Sequence, residues 1–313
     1  MRVSKWKGKS LISIDELTKD DILYILKKAT KFENDGNGAA THKLADGKIL
    51  ASLFFEPSTR TRLSFEAAMS RLRGHVIGFS DTENTSIVKG ESFSDTIKIA
   101  SSYADILVLR HPVAGAAALS AKIAEPVPVI NGGDGANQHP TQTLLDLYTI
   151  QKMKGRLSGL EIAIVGDLKY GRTVHSLVYA LALFRNRLTF VSPPSLTMPP
   201  DFLKTLSEKF NLKYQEATLE EAVKKADVIY ATRIQKERFA DPKKYEKLKE
   251  SYTINKKLLS SGKDDLILLH PLPRVNEISP DVDGTKYATY FEQARAGVPV
   301  RMALIALLLG LIK

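Results

Sequence analysis

KILASLFF, residues 48–55, is a compact apolar run that leads directly into the polar segment EPSTRTR, residues 56–62. Apolar residues then recur at helical spacing over residues 63–72. A short apolar run without polar alternation is typical of a strand that is covered on both faces. A strand, a polar turn and a helix in this order therefore predict one unit of a parallel α/β sheet.

The same alternation of strand-like and helix-like runs continues through the 313 residues. Further strands are predicted at residues 76–79, 105–109, 127–130, 160–166, 188–191, 227–230 and 266–269. Helices are predicted at residues 14–31, 94–103, 140–152, 173–184, 201–209 and 219–225, with a buried terminal helix over 302–312. Because charge and glycine interrupt the pattern at residues 152–158, we predict two domains, residues 1–150 and 151–294, each a mostly parallel sheet flanked by helices.

Composition limits the classes of function. Lys plus Arg is 45 and Asp plus Glu is 35, so the net charge is +10, which suits an anionic partner. The absence of cysteine excludes a disulfide framework, an iron–sulfur cluster, a zinc–thiolate site and a thiol nucleophile. Residues 302–312 are too few to span a bilayer, and the basic start lacks the apolar run of a signal peptide. We expect a cytoplasmic protein without a membrane contact, a metal or a cofactor.

Ligands of open α/β sheets bind beyond the carboxyl ends of the strands, and basic residues follow nearly every predicted strand here. These residues are Arg60, Arg110, His111, His139, Arg172, Arg233, His270 and Arg274. A solvated basic surface would scatter such residues over helix faces instead. The sequence therefore predicts a cationic cleft.

The segment Ser58, Thr59, Arg60 and Thr61 is the sharpest of these strand ends, because it opens a helix. Free N–H groups and the helix dipole attract anions there, and hydroxyls and a guanidinium add donors that match phosphate oxygens. An ordinary Ser/Thr helix cap is the alternative, but a cap accounts for one hydroxyl only. We therefore expect a phosphate site.

Other motifs in the chain are weaker. Gly166, Gly171, Arg172 and Thr173 have the spacing of a P-loop, but Arg replaces the expected Lys and Asp167 adds a negative charge, so we do not expect a nucleotide site. His111 and His270 each precede a proline, and the sequence leaves open whether they hold a turn or serve the site.

Three motifs resemble the signatures of the aspartate/ornithine carbamoyltransferase family. They are FEPSTRTR at residues 55–62, HPTQ at 139–142 and HPLPR at 270–274. GRT at 171–173 and RIQKERF at 233–239 resemble the aspartate-specific branch. Ornithine-specific members carry Cys in place of Pro271, and this chain has none.

The resemblance implies transfer of the carbamoyl group of carbamoyl phosphate to the amino group of aspartate, early in pyrimidine synthesis. It assigns the phosphate to Ser58, Thr59, Arg60 and Thr61. It assigns the carbonyl oxygen to Thr61, Arg110 and His139, and the carbamoyl amine to Gln142 with the backbone of Leu272 and Pro273. The aspartate carboxylates are assigned to Arg172, Arg233 and Gln235.

The implied mechanism needs no enzyme nucleophile, because the amine of aspartate attacks the carbonyl. Arg60, Thr61, Arg110 and His139 are the implied catalytic residues, acting by positioning and charge stabilisation. The departing phosphate itself takes the amine proton. The family resemblance also implies a carbamoyltransferase-like fold in which a C-terminal helix, residues 295–313, returns to the first domain.

Members of the family form trimers whose sites are shared between subunits. Residues 84–91 (NTSIVKGE) match the segment lent by a neighbour, with Ser86 and Lys89 as the contributing residues and Lys89 facing aspartate. A polar surface loop of no further role is the alternative interpretation. A separate regulatory chain in a larger assembly is possible within the family, and the sequence does not decide it.

Other functions remain as alternatives. A carbamoyltransferase with another acceptor belongs to the same class, but Arg172, Arg233 and Gln235 argue against a cationic acceptor such as ornithine. A basic nucleic-acid-binding protein is suggested by charge alone, and no aromatic-rich basic stripe supports it. An inactive homologue is a further alternative, although every expected site residue is present.

Overall fold

The computed structural model describes residues 5–35, 43–83, 85–234 and 252–312 of the chain. The chain divides into two compact units, Met1–Leu145 with Ala296–Lys313 and Asp146–Arg295. Each unit contains one fully parallel sheet, as the alternating pattern predicts. The unit limits differ by a few residues from the predicted 1–150 and 295–313, because they fall within two helices rather than in a linker.

Unit 1 carries a four-stranded sheet in the order β2-β1-β3-β4. Its strands are β1 (Ile49–Phe54), β2 (His75–Phe79), β3 (Ile106–His111) and β4 (Val129–Asp134). The helices of the first half of the chain are α1 (Lys19–Asn34), α2 (Arg60–Arg71), α3 (Phe93–Tyr103), α4 (Ala116–Ala124) and α5 (Pro140–Lys154). The central strands β1 and β3 are neighbours, so their carboxyl ends lie side by side.

Unit 2 carries a five-stranded sheet in the order β7-β6-β5-β8-β9. Its strands are β5 (Glu161–Val165), β6 (Arg187–Val191), β7 (Lys213–Glu216), β8 (Val228–Ala231) and β9 (Ile267–Leu269). The remaining helices are α6 (Arg172–Leu183), α7 (Pro200–Phe210), α8 (Leu219–Lys225), α9 (Lys256–Leu259) and α10 (Tyr290–Leu308). The neighbouring strands β5, β8 and β9 carry the predicted site residues of this unit at their ends.

The cores follow from the apolar strands. In unit 1, Leu53, Leu107 and Leu109 pack with the apolar faces of α3 and α4. In unit 2, Ala163 and Ile229 pack against α8 and against residues that follow β9. Burying these side chains supplies most of the driving force for each unit. The loops at the strand ends can therefore carry charged groups.

The first helix begins later than predicted. It starts at Lys19 rather than at residue 14, and Ile14–Glu16 form a separate 3-10 turn. Thr18 and Asp21 cap the helix reciprocally, since the hydroxyl of Thr18 accepts from the N–H of Asp21 and the carboxylate of Asp21 accepts from the N–H of Thr18. Because the apolar spacing continues through this cap, the sequence pattern placed the start of the helix too early.

The C-terminal helix is longer than predicted, because α10 runs over Tyr290–Leu308 and contains Pro299. Its last part, from Ala296, belongs to unit 1, in agreement with the implied return of the C-terminus. The predicted outer strand β2 is largely exposed, so the expectation that the predicted strands are covered on both faces is wrong for β2. Another outer strand, β7, was not predicted, and all of its residues are exposed. Within the described residues, no helix has the length and apolarity needed to cross a membrane.

Candidate active site

The start of α2 is the segment that the sequence predicts to bind phosphate. Thr59 occupies the cap position, and its side chain makes no capping hydrogen bond. The ordinary-cap interpretation of this segment is therefore not supported by the geometry. Arg60 is exposed and has no carboxylate partner among the described residues, and partial burial lowers the pKa of its guanidinium without discharging it. An uncompensated cation at a helix N-terminus favours an anion.

Arg110 reaches the same place from β3. The register pairs it with Phe54 at the end of β1, and its carbonyl accepts from the N–H of Phe55 at 2.8 Å. Its Nη2 lies 2.7 Å from Oε1 of Glu56, and both side chains are mostly buried. Glu56 therefore orients Arg110. An anionic or carbonyl ligand of Arg110 competes with this ion pair.

His139 reaches the same edge of the sheet from the segment after β4. Its side chain is buried, and its Nε2 lies 3.5 Å from Oγ1 of Thr61. Gly132 lies beneath this pair, since a Cβ added there would be 3.5 Å from Cγ2 of Thr61. The structure thus brings into contact His139 and Thr61, the two residues that the family resemblance assigns, with Arg110, to the carbonyl oxygen.

The buried carboxylate of Asp134 organises the loop that leads to His139. It accepts from Asn131 Nδ2 at 2.8 Å, from the N–H of Gly115 at 2.8 Å and from the N–H of Gln138 at 3.3 Å. These bonds tie the loop after β4 to the start of α4. Such a supported loop holds His139 in one position.

Arg301 of α10 contacts the N-terminal parts of both α2 and α5. Its Nη1 donates to Oγ of Ser64 at 2.6 Å, and its Nη2 lies 3.4 Å from Oγ1 of Thr141. The guanidinium also lies 4.8 Å from the ring centroid of Phe65. A buried arginine therefore links the helix that begins at Arg60 with the helix that begins after His139.

In unit 2, Arg172 and Arg233 follow neighbouring strands. Arg172 opens α6 beyond β5, and Arg233 follows β8, whose Ala231 pairs with Val165 of β5. Gly166 permits this close approach, since it has a φ of +118° and an added Cβ would lie 2.3 Å from the carbonyl oxygen of Thr232. Both arginines are half-buried.

The loop between Gly166 and Gly171 is not a phosphate loop. The buried carboxylate of Asp167 accepts from the N–H groups of Lys169 at 3.1 Å and Tyr170 at 3.0 Å. The amides that a P-loop turns toward phosphate are therefore already bonded to a carboxylate. This geometry agrees with the expectation that no nucleotide binds here.

The remaining predicted residues lie in loops. Leu272 and Pro273 follow β9, and Leu272 has a left-handed backbone with a φ of 55°. Ser86 and Lys89 are exposed at the two ends of a 3-10 turn that Thr85 caps. Gln142 lies in the first turn of α5. Gln235 and residue 84 lie outside the described residues.

Sequence reasoning assigned no role to Glu56, Asp134 or Arg301. Glu56 stands within the quoted motif, directly after a predicted strand, and its partner Arg110 directly follows another predicted strand, which was the available signal. Arg301 gave no comparable signal, because its partners Ser64 and Thr141 are distant in sequence. Asp134 has local partners in Asn131 and Gln138, but its bond to Gly115 at the start of α4 depends on the tertiary fold. Among the described residues, no group of three or more His, Cys, Asp and Glu side chains is arranged to hold a metal ion.

The fold and these strand ends define an α/β protein of two parallel-sheet units, each with arginines at the carboxyl ends of its strands. Residues 9–152 match the family model of the aspartate/ornithine carbamoyltransferase carbamoyl-phosphate-binding domain. Residues 158–308 match the model of the aspartate/ornithine-binding domain of the same family. The chain belongs to the aspartate/ornithine carbamoyltransferase family.

Individual relatives agree over nearly the whole chain. The aspartate carbamoyltransferase catalytic subunit of Thermococcus kodakarensis is 55% identical over 307 residues, covering 98% of this chain and 99% of that protein. The solved catalytic subunit of Methanocaldococcus jannaschii aspartate transcarbamoylase is 54% identical, with a TM-score of 0.89 over 95% of this chain and 96% of that one. A Trypanosoma cruzi aspartate transcarbamoylase, solved with carbamoyl phosphate and aspartate, is 38% identical, with a TM-score of 0.92 over 98% of this chain and 97% of that one.

Proposed function

We propose that this chain is an aspartate carbamoyltransferase. It transfers the carbamoyl group of carbamoyl phosphate to the amino group of L-aspartate, and the products are N-carbamoyl-L-aspartate and phosphate. The reaction is an early step of de novo pyrimidine (UMP) synthesis. Membership of the family, the relatives named for this activity and the ligands of the Trypanosoma cruzi structure support the proposal.

The observation that carries the proposal is the start of α2. The hydroxyl of Thr59 is not used in capping, and Arg60 has no carboxylate partner in the described part of the chain. Ser58, Thr59, Arg60 and Thr61 bind the phosphate through hydroxyls, backbone N–H groups and a guanidinium. Arg60 then stabilises the charge that grows on the departing phosphate.

Donors around the carbonyl oxygen stabilise the tetrahedral oxyanion. Thr61 and His139 contact each other, and Arg110 lies at the end of the neighbouring strand. The ion pair with Glu56 positions the guanidinium of Arg110 before the substrate binds. When the substrate binds, Arg110 leaves Glu56 and donates to the carbonyl oxygen. Gln142 binds the carbamoyl amine, and the backbone at Leu272 and Pro273 serves the same group.

Arg172 and Arg233 select the acceptor. Guanidiniums match carboxylates in a bidentate geometry, and the two carboxylates of aspartate need two cationic partners. Gln235 completes this set in the proposal. An acceptor with a cationic side chain, such as ornithine, is repelled by the same arginines.

We further propose a homotrimer in which a neighbouring subunit lends Ser86 and Lys89. The exposure of both side chains and of Val88, which is 64% exposed, supports a role for this turn in contact with another subunit. Lys89 adds a cation for aspartate. A regulatory chain in a larger assembly and a cytoplasmic location remain predictions.

Binding of N-(phosphonacetyl)-L-aspartate, which joins a phosphonate to aspartate, tests the assignment of ligand groups. Titration calorimetry on wild type, Arg60→Ala and Arg233→Ala is expected to show loss of at least about tenfold in affinity in each variant. Phosphonoacetamide, which is the same compound without the aspartate part, is expected to bind Arg60→Ala more weakly than wild type and Arg233→Ala like wild type. If N-(phosphonacetyl)-L-aspartate binds both variants with the affinity it has for wild type, the proposed sites are wrong.

A further inference from the structure

His270 lies directly after β9 and is held at three points. Its backbone N–H donates to Oε1 of Gln293 at 2.8 Å, and Gln293 in turn donates to the buried Asp146 at 2.6 Å. Its ring Nε2 lies 2.8 Å from Oε1 of Glu277. Its ring Nδ1 lies 2.8 Å from the backbone nitrogen of Leu272. The side chain is almost completely buried.

These contacts determine the tautomer of the ring. A backbone N–H can only donate, so Nδ1 of His270 must be the acceptor of the bond from Leu272. The neutral ring then carries its hydrogen on Nε2, where it donates to the carboxylate of Glu277. In the other tautomer, two N–H groups would face each other at Leu272.

Glu277 is itself fixed by its surroundings. Its second oxygen accepts from the N–H groups of Val275 at 3.1 Å and Asn276 at 3.0 Å. Burial raises the pKa of Glu277, but the bonds from His270 and the backbone outweigh this effect and hold the pKa below its ordinary value. The ionised carboxylate can therefore only accept, which favours the hydrogen on Nε2.

We propose that His270 is a positioning residue that holds the backbone at Leu272 through Nδ1, and that Glu277 keeps His270 in the tautomer able to do so. Leu272 needs such support because its left-handed backbone is strained for a residue with a branched side chain. The inference rests on the proposed function, in which the backbone at Leu272 and Pro273 binds the carbamoyl amine. His270 then acts on the reaction through that backbone and touches no substrate.

Two substitutions of similar polarity separate this role from simple packing. In His270→Asn, the amide oxygen reaches the place of Nδ1 and can accept from Leu272, while the bond to Glu277 is lost. In His270→Gln, the amide reaches toward Glu277 and leaves the N–H of Leu272 without its acceptor. The proposal predicts that His270→Asn keeps kcat/KM for carbamoyl phosphate at least about tenfold higher than His270→Gln, because small displacements of positioning groups are costly. Melting temperatures are measured in parallel.

Equal values of kcat/KM in the two variants, or values that follow the melting temperatures alone, would overturn the proposal. A wild-type chain that fails to carbamoylate aspartate would instead refute the proposed function. The two failures are therefore distinguishable.

The wild-type protein provides a second measurement if a variant does not fold. With ¹⁵N-labelled histidine, the chemical shifts of the ring nitrogens of His270 are measured by NMR in the intact chain. A His270 variant that folds identifies these signals, because they are missing from its spectrum. If neither His270 variant folds, the Glu277→Gln variant identifies the Nε2 signal, because that signal is expected to shift when its partner changes. A hydrogen on Nε2 and none on Nδ1 at neutral pH is the expected result. A hydrogen on Nδ1 would overturn the proposal, whatever the activity of the chain.

Discussion

At the scale of single residues, Arg60 gives the sharpest prediction. Replacing Arg60 by Ala removes the cation at the start of α2, where the proposed phosphate develops charge. Loss of one positioned donor of this kind costs about 3–4 kcal/mol in the transition state, so kcat is expected to fall by a factor of hundreds or more. Steady-state assays with saturating aspartate measure the effect.

Arg71→Ala is the matched control for Arg60→Ala. Arg71 lies in the last turn of the same helix, about 16 Å away at the rise of an α-helix. It is expected to keep nearly wild-type turnover, because only the N-terminal end of α2 serves the proposed phosphate. Similar turnover in the two variants would remove α2 from the proposed site.

Asp105 gives a prediction on pH. Burial raises the pKa of this carboxyl, but the bonds from Lys48 Nζ at 2.7 Å and from the N–H of Ile49 at 2.9 Å outweigh it, so the native pKa lies below the ordinary 3.8. A lowered native pKa contributes stability that is present above 3.8 and is lost as the pH falls through the native value.

Asp105→Asn is therefore expected to lower the free energy of unfolding of unit 1 by about 1 kcal/mol at pH 7, the scale of a partly screened charged hydrogen bond. The difference from wild type shrinks as the solution is acidified through the native pKa. Denaturant titrations at a series of pH values check this, with Trp6 fluorescence reporting on unit 1. A difference that grows on acidification would contradict the assigned direction.

At the scale of elements, the capping box of α1 can be tested alone. Thr18→Ala removes the hydroxyl that accepts from the N–H of Asp21. Loss of such a cap costs about 1 kcal/mol of stability. Thr30→Ala is the control on the same helix, because its hydroxyl only bonds back to the carbonyl of Leu26 and Ala favours the helix. Urea unfolding is expected to separate the two variants, and equal midpoints would argue against the cap.

The element scale also shows how far the sequence predicts the fold. Buried strands such as β1 and β5 were predicted within a residue or two, because apolar runs report directly on burial. The edge strand β7 (KYQE) was missed, since all its residues are exposed and carry no apolar signal. Helix α4 was also missed, because its small residues suggest no definite periodicity.

Some residues of the candidate site could be predicted from the sequence, and others could not. Residues next to strand ends, such as Arg60, Arg110 and Arg233, could be predicted, because the topology alone places each of them at the carboxyl edge of its own sheet. The support from Arg301 could not be predicted, because its contacts with Ser64 and Thr141 depend on tertiary packing between distant segments. The bond between Asp134 and the N–H of Gly115 likewise depends on packing between the end of β4 and the start of α4. Local patterns carry no information on such pairs.

At the scale of the whole molecule, the proposed shared site predicts complementation. Arg60→Ala and Lys89→Ala trimers are each expected to be nearly inactive, because each lacks one contribution to the site. Equal amounts of the two variants are dissociated into subunits, mixed and reassembled. In a cyclic trimer, about one quarter of the interfaces then place an intact Arg60 beside an intact Lys89 from the neighbouring subunit. Activity is expected to rise to about that share of wild type.

Two outcomes would refute the shared site. If Lys89→Ala alone keeps nearly full activity, the turn is an ordinary surface segment. If mixing gives no gain over either pure variant, both residues serve a site within one chain. Ser86→Ala run in the same way shows whether the other exposed end of the turn contributes.

The most direct test of the proposed function is a product assay on the purified wild-type chain. Carbamoyl phosphate is supplied with L-aspartate in one reaction and with L-ornithine in another, and phosphate and the carbamoylated product are both quantified. The predicted result is one N-carbamoyl-L-aspartate formed for each phosphate released above the background hydrolysis, with no product from ornithine. Citrulline as the only product, or phosphate release without any carbamoylated acceptor, would contradict the account.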